Sequence, residues 1–127
     1  MISQFSLHYT RAEAEALLPQ VQVWLDELTG LRRVMADQEA RLAELLASGQ
    51  DAGGPVVGDW IKSVAAMRRV FHEFQAREIQ IKDLDRGLID FPAYHDGREV
   101  YLCWERGEEG IEFWHELDDG YAGRERL

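Results

Sequence analysis

The sequence predicts an α+β fold: a long antiparallel helical hairpin, coiled-coil-like, followed by a small antiparallel β-meander of three to four strands. Three observations predict it. Apolar residues recur at alternating steps of four and three from Leu17 to Leu45, and a matching stripe runs from Trp60 to Phe74. A glycine-containing stretch between Ser48 and Gly58 separates the stripes. Beyond Arg77 the apolar period falls from helical to two.

The first helix is expected over 10–48. Thr10 and Glu13 have capping-box spacing, in which a hydroxyl and a carboxylate satisfy N–H groups at a helix start. The seam reads Leu17, Val21, Trp24, Leu28, Leu31, Met35, polar Gln38, Leu42 and Leu45. Pro19 has no N–H to bond one turn back, so a kink or a fresh start is expected there. Gly49 suits the left-handed residue that ends such a helix. Asp59 is placed as the cap of a second helix over 59–78, with Trp60, Val64, Met67, Phe71 and Phe74 as its seam. A loop of about ten residues between matching stripes makes the two helices antiparallel neighbours.

The β unit is expected over 79–118. It opens at Ile79 and Ile81, followed by strands at 87–94, 98–105 and 110–117. Asp96-Gly97 is a two-residue hairpin signal. Pro92 cannot donate to a ladder, which places it at an edge or a bulge. The tail, 119–127, is expected to lie back on the domain as a loop. At 127 residues the chain makes one core and one domain.

Fourteen basic against 24 acidic side chains give a net charge of −10, which repels polyphosphate and anionic lipid. Neither nucleic acid nor a membrane is expected as partner. With no apolar run of the roughly 20 residues that cross a bilayer, no signal-like start and a single cysteine, the chain is expected in the cytoplasm.

The strings IKDLDRGLIDFPAYHDGREVYLCW and FWHELDDGYAGR, with FSLHYTRAEAEALLPQV at the start, resemble a prokaryotic family called domain of unknown function 2203. The resemblance implies a small cytoplasmic prokaryotic protein. It brings no activity, cofactor or catalytic residue.

In strand 98–105, alternation turns Val100, Leu102 and Trp104 to one face and Glu99, Tyr101, Cys103 and Glu105 to the other. In strand 110–117, Ile111, Phe113, His115 and Leu117 share a face, opposite Glu112, Trp114 and Glu116. One face of the unit is expected to meet the helices. The other, with Tyr101 and Trp114 among carboxylates, is expected to be an aromatic-acidic surface. From this follows the leading functional expectation, a non-enzymatic interaction module that pairs with itself as a homodimer or with another protein. The alternative is a small-molecule or metal-binding protein, with hydrolytic chemistry as a further option, whose site lies at the hairpin–sheet junction.

The candidate residues for either role are Asp83, Asp85, Arg86, Asp90, Arg98, Tyr101, Trp114, His115, Glu116 and Arg124. Asp83, Asp85 and Asp90 form either turn caps or a cation or general-base cluster, with Arg86 or Arg98 to orient an anion. His115 is either a hydrogen-bonded core residue or a tuned imidazole. Arg124 either forms a salt bridge or recognises a carboxylate or phosphate through its planar fork. Cys103 has no CxxC partner and reads as a packed thiol. No zinc or calcium spacing, phosphate loop, dinucleotide glycine pattern or serine elbow is present, so neither metal nor cofactor is assigned.

Overall fold

The computed structural model describes residues 2–51 and 54–127. Two helices, α1 (Arg11–Ala47) and α2 (Pro55–Ala76), precede five strands: β1 (Gln80–Asp83), β2 (Leu88–His95), β3 (Arg98–Glu105), β4 (Phe113–Glu116) and β5 (Glu125–Arg126). The strands form one sheet in chain order, antiparallel throughout. This is the α+β hairpin-and-meander architecture that periodicity predicts, with one strand more. The chain divides into two compact units, one of residues 1–25 and 73–127, the other of residues 26–72.

Helix α1 starts at its capping box. The Thr10 N–H donates to Glu13 Oε1 at 2.9 Å, and the Glu13 N–H donates to Thr10 Oγ1 at 3.1 Å. Pro19 does not produce the expected fresh start, because α1 runs unbroken from Arg11 to Ala47. The proline removes one ladder bond, and the flanking apolar stripe keeps the helix continuous. Gly49, at φ +76°, ends the helix as expected, with the Gln50 N–H reaching back to the Leu45 carbonyl. Asp59 does not cap α2, which begins four residues earlier at Pro55. Proline's fixed φ and missing N–H suit a first helical position.

In the unit of residues 26–72 the residues of α1 beyond Gly30 that are not fully exposed are Leu31, Met35, Gln38, Leu42 and Leu45, the predicted seam. On α2 the seam shifts by one residue near its end, where Val70 is buried and Phe71 is 40% exposed.

In the other unit Ala14, Leu18, Val21 and Leu25 of α1 are buried, and Trp24 meets Phe74 edge-on at 5.4 Å. The β2–β3 hairpin turns on Asp96 and Gly97, both with positive φ as the tight turn requires. Pro92 lies in β2 beyond the end of β1, so no strand pairs with that side of it. Its carbonyl accepts the Tyr9 N–H instead, and its missing N–H costs the ladder nothing. The tail is not only a loop. After a short 3-10 turn at Tyr121–Gly123 it adds β5 to the edge of β4.

Candidate functional site

Register decides which residues meet. Leu102 pairs with Phe91 on one side and Trp114 on the other, so these three share a face with Ile89, Val100 and Trp104. Tyr9 packs edge-on against Phe91, and Glu15 of α1 accepts the Ile111 N–H at 3.2 Å, which lays the opening of α1 over this face. Asp90 pairs with Cys103, and Tyr101 pairs with both Pro92 and His115, so these belong to the opposite face.

Two expectations are thereby corrected. Tyr101 and Trp114 do not share an aromatic-acidic surface, since they point to opposite faces and both are buried. His115, expected in phase with the helix-facing apolar set, shares its face with Tyr101 and Cys103. Alternation within a strand is legible in sequence. The phase between neighbouring strands depends on register and is not.

The segment before α1 covers one end of the second face. Glu99 accepts the N–H groups of Gln4 and Phe5 at 2.7 and 3.0 Å, and its Oε2 lies 2.6 Å from His8 Nε2. Glu78 accepts the next two, from Ser6 and Leu7, each at 3.1 Å. Two carboxylates thus hold four consecutive backbone N–H groups. Glu78 does so from a left-handed backbone, φ 56°, which ends α2. Phe5 then rests on Tyr101, ring centroids 5.6 Å apart, and His8 stacks on Tyr94 at 4.1 Å.

The tail covers the other end. The Arg124 guanidinium lies 3.8 Å over Phe113 and 4.5 Å over Tyr121, and donates to Glu108 at 2.5 Å. Arg124 therefore forms the salt bridge into the acidic C-terminal third.

Between these covers lies a closed polar cluster of Asp90, Cys103 and His115, with donor atoms all within 4.8 Å of one another. Asp90 is 1% exposed and His115 2%. His115 Nδ1 lies 2.8 Å from the Glu116 carbonyl, which can only accept, so Nδ1 carries a hydrogen. Nε2 lies 3.0 Å from Asp90 Oδ2. A ring nitrogen lone pair and a carboxylate oxygen cannot face each other at that distance unless something positive lies between them. In the protein alone that is a shared proton. The second carboxylate oxygen, Oδ1, is buried with no hydrogen-bond partner.

Burial alone would push the His115 imidazole down. The Asp90 hydrogen bond and charge outweigh it, and the pKa rises above the ordinary histidine value. Burial pushes the Cys103 thiol far up, and the Asp90 carboxylate adds to this, while Arg124 opposes it. Tyr101, 4.7 Å from Lys82 Nζ, is likewise raised by burial.

The expected acidic cluster does not form. Asp83 Oδ1 accepts the Arg86 N–H at 3.1 Å, and Arg86 Nε pairs with Glu105 at 2.7 Å while stacking over Tyr121, so these residues cap and fix a turn. Asp85 is exposed beside them, and Asp90 is buried with His115. Arg98 and Glu116 pair at 2.6 Å beside Trp114. They line a groove of about 590 Å³ with Ser3, Tyr94 and Glu99. Sequence reasoning left Cys103 outside the candidate set because no motif surrounds it, and gave no role to Glu78 or Glu99. The partners of Glu78 and Glu99 are about 70 to 95 residues away in the chain, and no local pattern marks them.

No helix among the described residues is long and apolar enough to cross a membrane. No curated protein and no solved structure matches the chain. A family model does match, over residues 8–127, which include the cluster, the tail that covers one end of it and, of the N-terminal cover, His8. The chain belongs to that family, the uncharacterized conserved proteins of DUF2203.

Proposed function

We propose that this protein is a small-ligand-binding protein, that its site is the buried Asp90–Cys103–His115 cluster, and that its ligand is a cation. One observation carries the reading: with Nδ1 committed to the Glu116 carbonyl, His115 Nε2 and Asp90 Oδ2 converge at 3.0 Å around a position that must be electropositive. Burial of all three residues favours holding an ion over turning a substrate. A reducing cytoplasm, which keeps Cys103 a thiol, is part of the proposal.

Native mass spectrometry of protein purified without chelator, with imidazole NMR of His115 during cation titration, tests it. The expected result is a bound mass, or a cation-dependent shift of the His115 signals, that Asp90→Asn removes. A protein bare in every preparation, with His115 signals indifferent to every added cation, sinks the reading.

A second reading, self-association, draws on residues 26–72. Among the described residues of that unit only Leu28, Ser63 and Val70 are buried, while Val34, Leu46 and Ile61 are 47, 67 and 55% exposed. Two helices alone leave an apolar stripe in water, and a second copy of the hairpin has the matching stripe to cover it. Light scattering is expected to give a dimer at micromolar concentration, and a monomer throughout the accessible range counts decisively against it.

A further inference from the structure

We propose that Asp90, Cys103 and His115 form a binding site for one divalent transition-metal ion of the zinc class. This rests on the cation reading above and adds the identity of the ion and the part played by the thiol. Three features of the cluster converge on it.

The donor set is one imidazole nitrogen, one carboxylate oxygen and one sulfur, the mixture that suits zinc and its neighbours rather than magnesium or calcium, which take oxygen alone. Zinc bonds of about 2.0 to 2.3 Å in a tetrahedron place donors about 3.3 to 3.7 Å apart. The imidazole and carboxylate stand 3.0 Å apart, and the largest separation in the cluster is within 4.8 Å, so the donors need move by only about 1 Å. Three protein ligands leave a fourth position, for which the unpartnered Asp90 Oδ1 is one candidate and a water another.

The outer contacts are those of a ligating histidine. A metal-bound imidazole characteristically gives its other N–H to a carboxylate or a backbone carbonyl, which fixes the ring and points the lone pair at the ion. The His115 Nδ1 bond to the Glu116 carbonyl, at 2.8 Å, does this and leaves Nε2 facing the cluster.

Charge balance selects a divalent ion. Without metal the cluster holds a neutral thiol and one proton shared by the Asp90–His115 pair, a net charge of zero. Binding forms bonds from the ion to Cys103 Sγ, an Asp90 oxygen and His115 Nε2. It releases two protons to water, one from the thiol and one from the pair. The product is one thiolate, one carboxylate, a neutral imidazole and a 2+ ion, again zero. A monovalent ion would leave the closed site at −1 and a trivalent ion at +1, and an uncompensated charge is costly where water cannot reach it.

Cobalt(II) titration of the full-length protein, followed by zinc competition, tests the proposal. The expected result is one ion per chain, a near-ultraviolet thiolate-to-cobalt charge-transfer band, tetrahedral visible bands, and their displacement by zinc. Cys103→Ala leaves the Asp90–His115 pair in place, and is expected to abolish the charge-transfer band and weaken zinc at least about 100-fold, the upper end of what losing an outer-shell partner alone costs. Circular dichroism of the metal-free variant establishes that it folds, and Cys103→Ser supplies a second variant if it does not. Cobalt bound without a thiolate band, or zinc affinity unchanged in both variants, overturns this inference and leaves the cation reading standing. No cobalt or zinc held at any concentration, with His115 unmoved by other cations, overturns both.

Discussion

His115→Ala is expected to lower the folding stability of the metal-free protein by about 3 to 5 kcal/mol, the cost of leaving one member of a buried ionic pair without its partner. Asp90 is then a buried carboxylate with neither oxygen hydrogen-bonded to a ring. Urea unfolding monitored by tryptophan fluorescence measures the loss. Asp90→Ala should cost a comparable amount, and the double variant should cost well under the sum, because each single change already removes the shared interaction. Additive losses would mean that the two side chains are not coupled.

The pH dependence follows from the same pair. The folded His115 pKa is raised above its ordinary 6.5. Its contribution is therefore fully present below 6.5 and is lost as pH rises through the folded value. The metal-free wild type should show that decline on the alkaline side, and His115→Gln should not. With a divalent ion bound the proton is displaced, so metal should suppress the decline, which connects the stability measurement to the ion titration.

Glu99→Ala is expected to cost about 2 to 3 kcal/mol, since it deprives two backbone N–H groups and His8 of a common charged acceptor. Its side chain is 12% exposed, so solvent screens the loss only partly. Hydrogen exchange at Gln4, Phe5 and His8 reads the effect directly, and protection unchanged in the variant would show that the segment is held by packing alone. Burial alone would raise the Glu99 pKa. The bonds from His8, Gln4 and Phe5 outweigh it and hold the carboxyl below its usual range. The sign is opposite to that of His115. The contribution is present above the unfolded value near 4.5 and is lost as pH falls through the folded one. Acid should therefore release the N-terminal segment from Tyr101 and Tyr94 before it unfolds the sheet.

The elements whose cause is local were legible. The Thr10–Glu13 box, the Gly49 terminus and the Asp96-Gly97 turn each depend on a few adjacent residues and appear where the sequence places them. The hairpin seam is equally legible from Leu31 to Leu45, where helical period alone decides which side chains are covered. The expectations that the structure corrects, a fresh start at Pro19 and a tail that is only a loop, depended on context. Pro19 breaks an isolated helix more readily than one tied down by buried Val21 and Leu25 on its next turn. Strand β5 has only two residues, too few to show a period of two, so its pairing with β4 across the intervening turn is not visible in the sequence.

The candidate site divides in the same way. The sequence names both Asp90 and His115 for a site at the hairpin–sheet junction, Asp90 within an acidic cluster with Asp83 and Asp85 and His115 as a core residue or a tuned imidazole, but nothing in it pairs the two. Cys103 was read as packing. Residue type and strand alternation determine which face of its own strand each side chain takes, and the chain by itself determines that much. That Asp90 stands opposite Cys103, that Tyr101 stands between Pro92 and His115, and that the N-terminal segment and the tail close over them was decided only by the tertiary structure. The reason is physical. A one-residue change of register sends every side chain of a strand to the other face, and register is set by the packing of the whole sheet rather than by any short stretch of it.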